Sequence, residues 1–204
     1  GGPDKLLPDI KKYKVDYWIG ADFGAITIIE KQLPLYLAIG DFDSIDQGSL
    51  LAIKNIEKYE YPSEKDDTDL GLAFSWALQQ KSERVRIFGN TGGRMDHTLA
   101  GVQLLLQDYS LQSETIVEIV DDRNVITAFP PGEYSIERLA PYKYISFFSM
   151  TSHVNDLTLR GFKYPLTNKK IRLGDTLCVS NELILENGNF SFTYGILLMV
   201  RSMD

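Results

Sequence analysis

The sequence contains very few of the residues that build covalent crosslinks and soft-metal sites. Its 204 residues include one cysteine, Cys178, and two histidines. An intrachain disulfide and a cysteine-based metal cluster are therefore excluded. Because Cys178 lies in an apolar stretch, we interpret it as a buried small side chain rather than a reactive thiol.

Acidic residues outnumber basic ones, 28 to 21, and long apolar runs are absent. The formal net charge is −7, whereas a nucleic-acid surface needs an excess of basic residues. No apolar run approaches the length of a membrane span, and the first residues lack the basic and then apolar pattern of a secretory signal. We therefore expect a cytoplasmic protein that binds neither nucleic acid nor membrane. A nucleotide substrate remains compatible with the acidic charge, because a metal ion can bridge carboxylates and phosphates.

Strand and helix patterns alternate along the first part of the chain. The apolar spacing predicts strands over residues 16–21, 35–39, 84–88 and 115–120. Helical spacing is found over residues 47–57, 69–80 and 96–107. Such alternation indicates an α/β domain with a mainly parallel sheet, which binds ligands at the carboxyl ends of its strands.

The character of the sequence changes after about residue 122. Short segments rich in β-branched and aromatic residues are separated by turns such as Pro130-Pro131-Gly132 and Asn187-Gly188-Asn189. This pattern predicts antiparallel strands in an all-β sandwich. We place the two domains at residues 1–123 and 124–204.

Aspartates cluster where the predicted strands of the first domain end. Asp22 follows the first strand, Asp41 and Asp43 follow the second, and another group opens the helix at Asp69. Helix capping explains most aspartates at helix starts, including Asp96. It does not explain Asp22, Asp41 and Asp43 together, because carboxylates gathered at one sheet edge repel each other unless a cation lies among them. The pattern therefore predicts Mg²⁺ at a phosphate site.

The turn after the third predicted strand, Gly89 to Gly93, also fits a phosphate ligand. Glycines allow backbone N–H groups to approach a phosphate closely, and Arg94 offers a guanidinium that can grip its oxygens. The turn matches neither of the common glycine-rich nucleotide motifs, so the signal is weak on its own. A tight connection between strand and helix explains the glycines equally well.

The ordered set of motifs resembles the thiamine pyrophosphokinase family, whose members transfer pyrophosphate from ATP to thiamine. The resemblance covers nearly the whole chain. It is carried by these stretches: Gly1-Gly2-Pro3, Ala21-Asp22-Phe23-Gly24-Ala25, Gly40-Asp41-Phe42-Asp43-Ser44, Lys65-Asp66-Asp67-Thr68-Asp69, Gly92-Gly93-Arg94-Met95-Asp96-His97, Gly161-Phe162-Lys163-Tyr164-Pro165-Leu166, Ser180-Asn181-Glu182, Gly195-Ile196-Leu197-Leu198 and Ser202-Met203-Asp204.

The resemblance implies a homodimer with active sites at the subunit interface, and it assigns roles to particular residues. The implied metal ligands are Asp22, Asp41, Asp43 and Asp69. The implied ATP contacts are Asp22, Gly24, Lys65, Asp66, Thr68 and Arg94. The implied thiamine contacts are Asp96, Ser180 and Asn181. Asp43, Asp69 and Arg94 are the expected catalytic residues, with Asp69 accepting the proton of the thiamine hydroxyl.

The sequence departs from the family pattern at several places. Phe23 stands where a glycine is usual, and Gly101 stands where an asparagine is usual. Some members stack thiamine on a tryptophan near the C-terminus; here Phe190, Phe192 or Tyr194 would have to replace it. The family pattern also leads us to expect a first strand before Gly1.

Two other functions remain open at this point. The same aspartates would serve a metal-dependent nucleotide phosphohydrolase, which activates water instead of thiamine. The changes at Phe23 and Gly101 would fit a thiamine-binding regulatory protein that has lost catalysis.

Overall fold

The chain is described here from a computed structural model. The structure describes residues 2–42, 48, 51, 56–60 and 67–204. They form two compact units, one of residues 1–82 and 89–104 and the other of residues 83–88 and 105–204. No helix of these described residues is long and apolar enough to cross a lipid bilayer.

The first unit contains a three-stranded parallel sheet in the order β1–β2–β3. Its strands are β1 (Trp18–Ala21), β2 (Leu35–Gly40) and β3 (Glu57–Glu60). Leu37, Ala38 and Ile39 of β2 are at most 1% exposed, as expected for a parallel strand that is covered on both faces.

Two helices of the first unit, Gly24–Glu30 and Asp69–Gln79, pack on this sheet and place the residues that follow its strands. The helices of the first unit are α1 (Gly24–Glu30), α2 (Asp69–Gln79) and α3 (Met95–Leu105), and two 3₁₀ turns, Asp4–Leu6 and Ile10–Lys12, precede β1. Ala73 of α2 packs against Leu37 and Ile39. Helix α1 lies very close to β1, since a Cβ atom added to Gly20 would lie 2.3 Å from the Cα atom of Ala25.

The second unit is built almost entirely of strands, apart from the short helix α4 (Asp108–Leu111). Its strands are β4 (Arg84–Phe88), β5 (Ile116–Val120), β6 (Asn124–Phe129), β7 (Gly132–Glu137), β8 (Tyr144–Ser149), β9 (His153–Arg160), β10 (Leu166–Arg172), β11 (Asn181–Glu182), β12 (Asn187–Phe192) and β13 (Leu197–Ser202). One sheet is antiparallel in the order β10–β9–β12–β7, and the other has the order β11–β8–β13–β6–β5–β4.

Side chains from both sheets of the second unit share one hydrophobic core. Leu157 and Phe190 of the four-stranded sheet belong to the same buried cluster as Phe147 and Leu197 of the six-stranded sheet. Cys178 is 4% exposed within it, and burial raises the pKa of its thiol to about 11. The interpretation of Cys178 as an inert core side chain is therefore confirmed.

Most of the predicted elements are confirmed, with bounds that differ from the observed ones by at most two residues. The predicted mainly parallel sheet is divided in the structure, since β1, β2 and β3 form one parallel sheet and β4 and β5 belong to another sheet. β4 and β5 pair in parallel, but β5 then pairs antiparallel with β6 and so joins the six-stranded sheet. Local spacing identifies a strand but does not identify its partner. The predicted boundary between the two domains, after residue 123, stays a prediction.

The predicted helix over residues 47–57 falls mostly outside the described residues. At its end the prediction is wrong, because Glu57 begins strand β3. Strand β3 was not predicted from the sequence, because three of its four residues, Glu57–Glu60, are charged.

The close approach of α1 to β1 generates a stability prediction. We expect Gly20→Ala to lower the free energy of unfolding by about 1–3 kcal/mol, because the added methyl group overlaps the backbone of Ala25. Chemical denaturation measures this loss. Gly24→Ala is the matched control, since a Cβ atom at Gly24 has no neighbour within 4 Å. Equal stability of the two variants would contradict the packing of α1 on β1.

Candidate active site

Three of the predicted metal ligands lie at the carboxyl edge of the parallel sheet. The backbone N–H of Asp22, directly after β1, donates to the carbonyl of Ile39 in β2 at 2.8 Å. A Cβ atom added to Gly40 would lie 3.2 Å from the Cα atom of Asp22 and 3.4 Å from Oδ1 of Asp69. Asp41 follows Gly40 directly. The end of β2 is therefore flanked by carboxylates from three segments.

The backbone at this edge adopts conformations that few residues tolerate. Asp22 has φ +48°, and its carbonyl accepts from the N–H of Ala25 at 3.0 Å in a tight turn into α1. Gly40 has φ +155°. Aspartate and asparagine are among the few residues with a side chain that enter the left-handed region readily. The backbone conformation of this turn therefore fixes the point from which the Asp22 side chain extends.

The described residues do not assemble a complete metal site by themselves. No group of three or more His, Cys, Asp or Glu side chains among residues 2–42 and 67–204 is arranged to hold a metal ion. Asp43, the fourth predicted ligand, lies outside the described residues. The donors present are all carboxylate oxygens, which is the donor set that Mg²⁺ prefers. The chemistry of these donors thus fits the predicted metal, and their role as ligands stays a prediction.

The predicted ATP contacts near α1 and α2 are partly described. Space is open around Gly24, because a Cβ atom there would meet nothing within 4 Å, and a ligand can therefore approach the backbone. Phe23, which departs from the family pattern, is 48% exposed beside it. The Thr68 hydroxyl accepts from the N–H of Gly71 at 3.0 Å, so Thr68 is the N-cap of α2. Lys65 and Asp66 lie outside the described residues.

A buried asparagine explains one departure from the family pattern. Asn90 is 8% exposed, and its amide donates to the carbonyl of Thr98 at 3.1 Å. A Cβ atom added to Gly101 would lie only 2.2 Å from Oδ1 of Asn90. The Asn90 amide thus occupies the space that a side chain at position 101 would need. This role of Asn90 was not predicted from the sequence, where the residue is visible only as a polar side chain inside a glycine-rich turn.

Arg94 and Asp96 bind each other in a two-pronged ion pair. The Arg94 Nη2 and Nε atoms lie 2.6 Å and 3.2 Å from the two carboxylate oxygens of Asp96. This hydrogen bonding raises the pKa of Arg94 and lowers the pKa of the Asp96 carboxyl from 3.8 to about 2. Asp96 also accepts from the N–H of His97 in the first turn of α3. Two residues predicted to bind different substrates are therefore partners of each other.

The two predicted thiamine contacts of the second unit have different surroundings. Asn181 is 2% exposed, and its amide group accepts from the N–H of Tyr164 at 3.0 Å and donates to the Tyr164 carbonyl at 2.9 Å. The Ser180 side chain is exposed, and its backbone N–H donates to Ser146 Oγ at 2.9 Å. Asn181 thus fastens the Tyr164 backbone, whereas Ser180 presents its hydroxyl to solvent.

The three aromatic candidates for stacking on thiamine also differ in accessibility. Phe190 and Phe192 are 1% and 3% exposed and belong to the core of the second unit. Tyr194 is 51% exposed, and its ring stacks on His153 with centroids 4.8 Å apart. Of the three, Tyr194 alone offers a ring face to a ligand without unpacking the core.

The described residues form a mixed α/β, sheet-rich protein in which carboxylates and open glycine backbone meet at the carboxyl ends of parallel strands. Such edges are where α/β sheets bind ligands.

Comparison with known proteins identifies the family. A family model described as the thiamin pyrophosphokinase catalytic domain matches residues 11–117, and one described as its vitamin B1 binding domain matches residues 133–197. A thiamine pyrophosphokinase from Bacillus subtilis (strain 168) is 45% identical over 208 residues, which cover 100% of this chain and 96% of that protein. The chain belongs to the thiamin pyrophosphokinase family.

Solved structures agree with this assignment. The crystal structure of thiamine pyrophosphokinase from Bacillus subtilis superimposes with a TM-score of 0.93 at 44% identity, covering 100% of this chain and 96% of that chain. The crystal structure of thiamin pyrophosphokinase from Geobacillus thermodenitrificans gives a TM-score of 0.91 at 43% identity, with coverage of 100% and 95%.

The ion pair of Arg94 and Asp96 predicts an unusual carboxyl titration. The folded-state pKa is lowered, so the pair stabilises the fold above pH 3.8 and this contribution is lost as the pH falls toward 2. Carbon-detected NMR of the Asp96 carboxyl should show it ionised at pH 3.8, whereas in Arg94→Gln a clearly larger fraction of it should be protonated at that pH. Lys81→Gln, which removes an exposed cation elsewhere, is the control. Identical titration in all three proteins would mean that the pair does not form in solution.

The surroundings of Ser180 and Asn181 predict opposite consequences of their removal. We expect Asn181→Ala to lower the free energy of unfolding by about 1–3 kcal/mol, because it leaves backbone groups of Tyr164 without partners. Ser180→Ala should leave stability unchanged, so it tests thiamine contact cleanly through the KM for thiamine. A Ser180→Ala variant with an unaltered KM would remove Ser180 from the thiamine site. An Asn181→Ala variant as stable as the parent would contradict its structural role.

Proposed function

We propose that this chain transfers a pyrophosphoryl group from ATP to the hydroxyl of thiamine, forming thiamine diphosphate and AMP. The observation that carries the proposal is full-length similarity, at 45% identity, to a thiamine pyrophosphokinase. The two family models support a catalytic domain over residues 1–123 and a thiamine-binding β-sandwich over residues 124–204, since they match residues 11–117 and 133–197.

The carboxylates at the end of β1 and β2 are proposed to bind Mg²⁺ with the ATP phosphates. Asp22, Asp41, Asp43 and Asp69 would hold the ion, which when bound would neutralise charge on the phosphates. Gly24 would let the nucleotide approach the backbone, with Lys65, Asp66 and Thr68 as further contacts. The open space at Gly24 and the position of Asp69 beside Gly40 support this arrangement.

Positioning of the two substrates would account for most of the catalysis. The thiamine hydroxyl attacks the β-phosphorus of ATP, the bond from that phosphorus to the bridging oxygen of AMP breaks, and AMP leaves in line. Asp69 would accept the hydroxyl proton, and Arg94 would hold phosphate oxygens. Asp96 would accept a hydrogen bond from the thiamine aminopyrimidine. For both roles the ion pair between Arg94 and Asp96 would have to open. Arg94 would then contact ATP, and Asp96 would contact thiamine.

A homodimer and a cytoplasmic location complete the proposal. Exposed apolar side chains along one stretch of the second unit support a subunit interface, since large exposed apolar patches mark interaction sites. Leu173, Leu177, Ile184 and Leu185 are each at least 59% exposed. In such a dimer, Asp96 of one subunit and Ser180 of the other would complete each site. The lack of a second cysteine is consistent with a reducing compartment.

One assay separates the proposed transfer from its alternatives. AMP formation from ATP should require thiamine and divalent metal. Asp22→Asn should reduce kcat/KM by roughly a hundredfold, because about 3 kcal/mol of charge stabilisation is lost. Asparagine also tolerates φ +48°, so the turn should keep its conformation, which circular dichroism and the melting temperature check. The amount of Mg²⁺ needed for half-maximal activity should rise.

Asp67→Asn is the matched control, because Asp67 is an exposed aspartate at the start of α2 with no assigned ligand. Nucleotide cleavage without thiamine would indicate a phosphohydrolase instead. Thiamine binding without turnover would indicate a non-catalytic binding protein. Wild-type activity in Asp22→Asn would remove Asp22 from the metal site.

A further inference from the structure

The second unit contains an open cleft that has no part in the proposed reaction. It has a volume of about 600 Å³ and lies between the edge strand β7 and the face of the six-stranded sheet formed by β5, β6 and β13. We call it the β7 cleft. Residues that line it include Glu118, Thr127, Phe129, Ile136, Met199 and Arg201. This size and the mixture of an apolar wall with a few polar groups are typical of small-molecule sites.

Strand alternation places an arginine where the sandwich core would continue. Leu197, Met199 and Arg201 are successive residues on the same face of β13, and the first two belong to the hydrophobic core of the second unit. Opposite them on β6, Met199 pairs with Thr127 and Arg201 pairs with Val125. The third inward position of β13 is therefore charged, at the end of the core where the cleft begins.

Arg201 is a buried residue whose guanidinium keeps donors open to the cleft. Arg201 is 8% exposed, and its Nη1 atom donates to the carbonyl of Glu137 at 2.8 Å. A guanidinium has five N–H donors, and this is the one side-chain hydrogen bond of Arg201 within the described part of the chain. Thr127, also 8% exposed, lines the cleft beside it. Neither residue has a fully buried side-chain nitrogen or oxygen atom without a partner, so their unused donors face the cleft.

The cleft is lined by three arginines, Arg84, Arg138 and Arg201, and by three glutamates, Glu114, Glu118 and Glu137. The Glu118 carboxylate binds other arginines, with Oε1 2.8 Å from Arg84 and Oε2 2.9 Å from Arg86. Burial lowers the pKa of Arg201, with Glu118 acting weakly in the opposite direction, and the group remains a cation at neutral pH. A buried cation with incomplete compensation favours a bound anion.

The exposed side chains that line the cleft carry both charges, since Glu114 and Glu137 are acidic and Arg84 and Arg138 are basic. Of the three arginines, Arg201 alone is buried, so the cleft offers one buried cation to a ligand. The wall formed by Phe129, Ile136 and Met199 offers apolar contact to the rest of that ligand.

From this geometry we propose that the β7 cleft binds a small molecule that carries one oxyanion group, a phosphate or a carboxylate, on an apolar body. The oxyanion contacts the Arg201 guanidinium and the Thr127 hydroxyl, and the apolar body lies against Phe129 and Met199. The site is separate from the residues proposed for catalysis and does not depend on the proposed reaction.

NMR of methionine methyl groups tests this site directly in the full chain. The protein has four methionines: Met199 lines the cleft, whereas Met95, Met150 and Met203 do not and serve as internal references. With phenyl phosphate as the probe, we expect a saturable shift of the Met199 signal at millimolar concentration or below. Phenol, which lacks the anion, and inorganic phosphate, which lacks the apolar body, should each bind at least roughly tenfold more weakly.

Substitutions assign the contacts within the cleft. Arg201→Gln and Thr127→Val should each weaken phenyl phosphate binding, the first by roughly tenfold or more. Arg160→Gln is the matched control, because Arg160 is an exposed arginine on β9 outside the cleft. Thr127→Val nearly keeps the side-chain volume. Its affinity for phenyl phosphate therefore tests the proposal if Arg201→Gln fails to fold. Benzoate in place of phenyl phosphate shows whether a carboxylate is accepted.

Three results would overturn the proposal. The first is a Met199 signal that does not move while the Met95 signal does, which would place binding in the first unit. The second is equal affinity for phenol and phenyl phosphate, which would reduce the cleft to an apolar surface. The third is unchanged affinity in both Arg201→Gln and Thr127→Val.

Discussion

Parallel pairing of β1 with β2 brings Asp22 beside Gly40, and the carboxylates predicted to bind the metal ion are arranged around that contact. The hydrogen bond from the Asp22 N–H to the Ile39 carbonyl ends the pairing of the two strands and starts the turn into α1. Helix α2, packed on Leu37 and Ile39, then brings Asp69 to the same edge. Carboxylates assembled in this way repel each other, so the packing of apolar side chains beneath them must hold the edge together.

The sequence alone predicted the elements of this site better than their connections. The strands around Asp22 and Asp41 could be predicted because a buried parallel strand appears as a short apolar run bounded by glycine. The pairing of β5 with β6 could not, because β5 has the same apolar pattern whether its neighbour is parallel or antiparallel. The roles of Ser180 and Asn181 could not be separated either. Adjacent polar residues have similar patterns in sequence, and burial alone distinguishes them.

Asn90 and Gly101 illustrate how a departure from a family pattern can be local and compensated. Gly101 by itself suggests a lost polar contact in the helix after Asp96. In the structure the amide of Asn90 fills that space from the neighbouring turn and bonds to Thr98, so the region keeps a buried amide. Gly101 is therefore weaker support for the hypothesis of a non-catalytic protein than it was in the sequence alone. Phe23 has no such compensation among its described contacts; its ring is simply exposed at the start of α1.

The ion pair of Arg94 with Asp96 has a consequence for the approach of ligands from solution. At distances beyond the Debye length of about 8 Å at physiological ionic strength, a guanidinium and a carboxylate in contact act as a dipole with no net charge. In the proposed role of Arg94, an incoming nucleotide would be attracted by this pair only at short range and would then compete with Asp96 for the same donors. Arg94 would therefore influence how long a bound anion stays more than how often one arrives.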